Sequence, residues 1–120
     1  MMKLSIVIPV YNVEPFIRGT LDSIYKQGVD ESLFEVIVVN DGTPDNSMAI
    51  VEMFADAHTN LAIINQKNQG LSAARNSGIK LAKGDYIWVV DSDDSITENS
   101  ISQALGEITR HPYVEMFCFD

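Results

Sequence analysis

Residues 84–94 read Gly84-Asp85-Tyr86-Ile87-Trp88-Val89-Val90-Asp91-Ser92-Asp93-Asp94. An uncharged run, Tyr86–Val90, opens behind a glycine and leads straight into three carboxylates within four residues. A short apolar run rich in aromatic and β-branched residues and bounded by turn signals reads as a buried strand. Outward from it, helix and strand alternate. On the amino side, Leu71–Ala82 is a helix that Gly84 ends, preceded by a strand at Leu61–Ile64. Asp45 or Asn46 caps a helix to about Ala57 with Ile50, Val51 and Phe54 inward. Before it comes a strand at Phe34–Val39. Glu14–Gln27 is a helix with Pro15 in its first turn and Phe16, Ile17, Leu21, Ile24 and Tyr25 on one face. The β-branched run Leu4–Val10 is the first strand. On the carboxyl side, Thr97 caps a helix through about Ile108, with Ile101, Ala104, Leu105 and Ile108 in one stripe, and Tyr113–Phe119 is a fifth strand. The alternation predicts an α/β domain: a mostly parallel sheet with helices on both faces.

Such sheets bind ligands beyond the carboxyl ends of their strands, where strand order reverses. The residues in those positions are Pro9-Val10-Tyr11-Asn12, Asp41-Gly42 and Asp91-Ser92-Asp93-Asp94. For Tyr11 and Asp93 to face one ligand, Leu4–Val10 and Tyr86–Val90 must lie adjacent and parallel in mid-sheet. The acid cluster reads in two ways: a solvated turn before a helix N-terminus, or oxygen ligands for a hard divalent cation with positions left for phosphate. Asp41 is either a turn residue or an acceptor for the N3–H of a uracil. Tyr11 is either a loop aromatic or a flat face for a base, with the Pro9 carbonyl beside it. Glu14 reads as a favourable charge at a helix start. In Asn68–Gly78 the small residues permit close packing on the sheet, while Arg75 places a guanidinium near anionic loops. His58 and His111 read as surface residues.

The chain has 120 residues, enough for one domain with a core. Its single cysteine, Cys118, excludes an internal disulfide and suits a reducing compartment. The apolar run after Lys3 meets Pro9 too early for a signal peptide. A net charge of −9 argues against nucleic-acid binding through a basic face. Charge is also segregated: residues 66–83 carry Lys67, Arg75, Lys80 and Lys83 without an acid, and residues 84–109 carry only acids. Several alternatives fail on position. A haloacid dehalogenase-like phosphatase needs its Asp-x-Asp after the first strand. A phospho-receiver needs an Asp after the third, where Asn65 stands. Neither a Gly-x-Gly-x-x-Gly nor a Gly-Lys-Ser/Thr occurs.

Four segments in order, Ser5–Asn12, Val38–Thr43, Asn68–Gly78 and Gly84–Asp94, together resemble the family 2 glycosyltransferases with the GT-A fold, over nearly the whole chain. The resemblance implies that Pro9 and Tyr11 hold a uracil, that Asp41 reads its N3–H and that Arg75 lies beside the base. It implies further that Asp91 contacts ribose and that Asp93, with Asp94 a less certain participant, ligates Mn²⁺ or Mg²⁺ on the diphosphate. The implied donor is a UDP-sugar. The implied acceptor is a saccharide or glycoconjugate in polysaccharide synthesis, with inversion, in the cytoplasm or at the inner membrane face. On this reading residues 1–120 are the nucleotide-sugar-binding part. The catalytic base lies in an acceptor-binding half beyond residue 120, so these residues bind donor without transferring sugar. Tyr113–Phe119 is then an open edge through which two copies pair. The competing readings are a sugar-phosphate nucleotidyltransferase, which would want a Gly-rich basic loop where Pro9–Asn12 stands, and a noncatalytic nucleotide-binding module.

Overall fold

The computed structural model describes residues 4–91, 101, 103, 105 and 116–118. Among the described residues five strands form one sheet: β1 (Leu4–Val10), β2 (Phe34–Asn40), β3 (Leu61–Asn65), β4 (Tyr86–Val89) and β5 (Met116–Cys118). Three helices connect the first four: α1 (Glu14–Tyr25), α2 (Ser47–Ala57) and α3 (Leu71–Leu81). The sheet order is β3-β2-β1-β4-β5, and every pairing is parallel. As the sequence predicts, the first and fourth strands are neighbours at the centre, with Ser5 opposite Ile87 and Val7 opposite Val89.

All seven residues of β1 are buried. A central parallel strand is covered on both faces, so it cannot alternate polar and apolar positions. Leu4, Ile6, Ile8 and Val10 join Ile17, Leu21 and Ile24 of α1, Val51 of α2 and Ile101 in the larger core cluster. Val7 points the other way and packs with Ile37, Val39 and Ala74 of α3. The chain steps outward through β2 and β3, then crosses back beyond β1 to β4. Crossovers of one hand running in opposite directions place their helices on opposite faces. Contact on the α3 side is close: a Cβ on Gly78 would lie 2.3 Å from Val7 Cγ1. The predicted close packing of this glycine is therefore present.

At the amino ends of the strands, Ser5 Oγ donates to Glu35 Oε2 (2.5 Å), and the N–H groups of Lys83 and Gly84 donate to Glu35 Oε2 (2.6 Å) and Ser5 Oγ (2.8 Å). This buried group pins the entry to β4 and so sets where its far end, carrying Asp91, emerges.

Three expectations need correction. Phe16 does not join the inner face of α1; it is 52% exposed, and Thr20 is buried instead. The phenylalanine sits in the first turn, at the rim of the sheet, about 100° around the helix from Ile17. Helix α1 ends at Tyr25, with Lys26 as C-cap and Gly28 at φ 72° turning the chain away. Gln27 Nε2 turns back to Ser23 O at 2.8 Å. His58 is no free surface residue: it stacks on Tyr25 with ring centroids 3.7 Å apart, and its Nδ1 is 2.8 Å from Glu31 Oε2. His111 lies outside the described residues, as do most of the predicted helix at 97–108 and strand at 113–119. Within those, residues 101, 103 and 105 are helical and Met116–Cys118 is a strand. No helix among the described residues is long and apolar enough to cross a membrane.

Candidate functional site

Strand order reverses between β1 and β4, and a cavity of about 500 Å³ opens at their carboxyl ends. That volume lies within the range of small-molecule sites. Pro9, Val10, Tyr11 and Val13 line it from the end of β1, Asp41 from the end of β2, and Asp91 from beyond β4. Asn68, Gly70, Leu71 and Ala74 close it from the start of α3. Tyr11 and Leu71 are 45% and 52% exposed, so apolar surface faces the opening.

Asp41 is 3% exposed. Its Oδ1 accepts from Gln66 Nε2 and the Gln69 N–H, both at 2.9 Å. Its Oδ2 accepts from the Gly70 N–H at 3.0 Å and from Asn68 Nδ2 at 3.2 Å. A carboxylate has about four acceptor positions, so all of them are taken within the chain. Burial alone would push this carboxyl's pKa up, but the donors from Gln66, Gln69 and Gly70 outweigh it and hold the group below its ordinary value. The charge thus folds the loop at 66–70 over the sheet edge. Gly42, at φ 70°, makes room: a Cβ there would sit 2.8 Å from the Asn68 nitrogen.

Arg75 does not line the cavity but reaches Asp91, which does: Nη2 is 2.9 Å from Asp91 Oδ1. Both side chains are more than a third exposed, so the pair adds little stability. Its effect is to hold one Asp91 oxygen in place. The Arg75 Nε is buried and has no hydrogen-bond partner.

Of the predicted site residues, Pro9, Tyr11, Asp41 and Asp91 therefore meet at one cavity, with Arg75 bonded to the last. Asp93, the predicted metal ligand, and Asp94 lie outside the described residues. Among the described residues no group of three acidic, histidine or cysteine side chains is arranged to hold a metal ion.

Sequence reasoning passed over Val13, Leu71, Asn68 and the loop network beneath Tyr11. Asn12 N–H donates to Thr43 Oγ1 (2.8 Å), Val13 N–H to Ser47 Oγ (3.3 Å) and Glu14 N–H to Asp45 Oδ2 (3.0 Å). In return, the Asn46 N–H donates to Glu14 Oε1 at 3.0 Å. Glu14 is thus more than a favourable charge. The legible signal was the run Thr43-Pro44-Asp45-Asn46-Ser47, rich in residues that bond backbone N–H groups. What it could not show is that half its partners lie on another helix.

Comparison with known proteins agrees with this geometry. The model for the glycosyl transferase family 2 matches residues 5–119. The uncharacterized glycosyltransferase EpsJ of Bacillus subtilis (strain 168) is 49% identical over 104 residues, 87% of this chain and 29% of its own length. The crystal structure of S. aureus TarS 1-349 in complex with UDP-GlcNAc matches with a TM-score of 0.87 at 35% identity, over 92% of this chain and 32% of that one. The mannosyltransferase PcManGT from Pyrobaculum calidifontis, in complex with GDP-Man and Mn²⁺, matches with a TM-score of 0.77 at 25% identity, over 88% of this chain and 32% of that one. The chain spans less than a third of the length of each of these proteins. The sheet is the GT-A arrangement that the sequence resemblance implied, and the chain belongs to glycosyl transferase family 2.

Proposed function

We propose that these residues form the donor-binding part of a glycosyltransferase that takes a UDP-sugar, with transfer to a saccharide or glycoconjugate acceptor by the whole protein. The observation that carries this is the convergence of Tyr11, Asp41 and Asp91 on one cavity at the switch point between β1 and β4. The uracil stacks on Tyr11 with the Pro9 carbonyl beside it. Its N3–H is accepted by Asp41 in the position now held by the Asn68 amide. That contact is the longest of the four to the carboxylate, and Asn68 Nδ2 also lies 3.1 Å from the Asp41 main-chain oxygen, so it keeps a partner when displaced. Asp91 meets the ribose, and Arg75, which orients Asp91, lies at the nucleotide's flank. TarS was solved with UDP-GlcNAc, in line with a uridine donor.

The acids Asp91, Asp93 and Asp94 supply oxygen donors only, the chemistry that suits Mg²⁺ or Mn²⁺. Asp93 is the residue that would hold the ion. When bound, the ion neutralises charge on the leaving diphosphate. The Mn²⁺ in the PcManGT complex supports this reading. The site lies on the cytoplasmic side, and a second copy pairs along β5, the outer strand of the described sheet on that side. Sedimentation of the 13.3 kDa chain at twice its mass would bear out the pairing, and a monomer at all concentrations would end it.

Calorimetric titration of uridine and adenosine diphosphates, with and without Mn²⁺, tests the main claim. The expected result is uridine diphosphate binding strengthened by Mn²⁺, with Asp93→Ala abolishing the metal's contribution and leaving the melting temperature unchanged. Equal affinity for the two bases would sink the uracil assignment.

A further inference from the structure

Tyr11 is 45% exposed, so packing alone does not place its ring; the backbone that carries it does. The next residue, Asn12, has φ 56°, a left-handed conformation uncommon outside glycine. Asparagine enters this region more readily than other side-chain-bearing residues, and the bond that selects it at this position comes from outside its own helix, from Thr43. Val13, the N-cap of α1, makes no side-chain capping bond, and neither does Asn46, the N-cap of α2. Four N–H groups at the two helix starts are satisfied crosswise. Thr43, Asp45 and Ser47 accept from residues 12–14, and Glu14 accepts from Asn46. Asp45 is the hub: its Oδ1 accepts from Thr43 Oγ1 (2.7 Å), Ser47 N–H (3.1 Å) and Ser47 Oγ (2.6 Å), while its Oδ2 takes the Glu14 N–H. Through Thr43 this carboxylate orients the hydroxyl that fixes Asn12.

We infer that Thr43 and Asp45 are positioning residues for the base platform, acting on donor affinity through Tyr11 without touching the donor themselves. This rests on the proposed uracil–Tyr11 stack. A Thr43 hydroxyl that both donates to Asp45 and accepts from Asn12 has its lone pair aimed at one N–H. Loss of that hydroxyl leaves Asn12 free to relax to negative φ, which re-aims the ring of Tyr11.

A double-mutant cycle tests it, by calorimetric titration of the chain with uridine diphosphate and Mn²⁺. Base–aromatic stacking at its middle strength corresponds to about a thirtyfold change in affinity. Tyr11→Ala and Thr43→Val should each cost up to about that factor, and the double variant should be no weaker than Tyr11→Ala alone. Thr43→Ser, which keeps the hydroxyl, should bind like the unmodified chain. Should Thr43→Val fail to melt cooperatively, Asp45→Asn takes its place in the cycle. Losses that multiply in the double variant, wild-type affinity in Thr43→Val, or a Thr43→Ser as weak as Thr43→Val would each overturn the inference. An unmodified chain that binds no uridine diphosphate would instead overturn the proposed function.

Discussion

Asp41 and Asp45 stand four residues apart; Asp41 accepts the N–H groups of Gln69 and Gly70 from another segment, and Asp45 accepts that of Glu14 alongside donors from its own neighbours Thr43 and Ser47. Burial pushes the Asp45 carboxyl up, but donors from Ser47, Thr43 and Glu14 outweigh it and bring its pKa down to about 2. A folded pKa below the ordinary value means stability that is present above about pH 4 and lost as pH falls towards 2. Melting temperatures between pH 6 and 2 should therefore fall less steeply below pH 4 for Asp45→Asn than for the unmodified chain; parallel curves would show that the group contributes nothing. Asp41→Asn turns an amide NH₂ towards groups that are themselves donors. Leaving such buried donors unsatisfied costs about 1–3 kcal/mol each. On the proposed uracil contact, the variant should melt earlier and lose a preference for uridine over adenosine diphosphate together, since one carboxylate would serve both loop and base. That Asp41 follows a strand was legible from the sequence, and so was its place at the sheet edge. That its carboxylate is filled by Gln66, Asn68, Gln69 and Gly70 was not, because those donors lie 25 to 29 residues away.

The helices differ in how they meet the sheet. Helix α3 lies closest, because Gly78 faces Val7 and Val39. Gly78→Ala would gain roughly 1 kcal/mol of helix propensity, yet its Cβ would sit 2.3 Å from Val7 Cγ1, so the helix must lift or the valine rotate. Overpacking of this kind costs about 1–3 kcal/mol. Urea denaturation should show a net loss of stability, and a variant as stable as the parent would mean that the contact yields freely. On α1 the expected contrast is between neighbours. Ile17→Ala empties a fully buried position and should cost about 2–5 kcal/mol. Phe16→Ala, at a half-exposed position, should stay within about 0.5 kcal/mol. Periodicity alone put both residues inside, because a stripe marks a direction around the helix axis and says nothing of where the opposing layer stops.

At the scale of the molecule, one topological event makes the site: the crossing from β3 back past β1 to β4. It brings Tyr11 and Asp91, eighty residues apart in the chain, to one cavity. Amide exchange should be slowest in β1, which is paired on both sides and wholly buried, and on the proposed function uridine diphosphate should slow it further at 11–13 and 66–70, the segments beside the cavity. Loops whose exchange ignored uridine diphosphate would place the ligand elsewhere. The strand and helix segments up to β4 were readable from sequence alone, because hydrophobic period, glycine stops and capping residues act over a few neighbours. So was the set of strand ends that carries Pro9, Tyr11, Asp41 and Asp91. Only the tertiary structure decided the partners: Asp41 with the 66–70 loop, Glu14 with Asn46, His58 with Glu31, Ser5 with Gly84. A hydrogen bond depends on two atoms lying about 3 Å apart, and no local pattern in a chain records which distant atom the fold will bring within that reach.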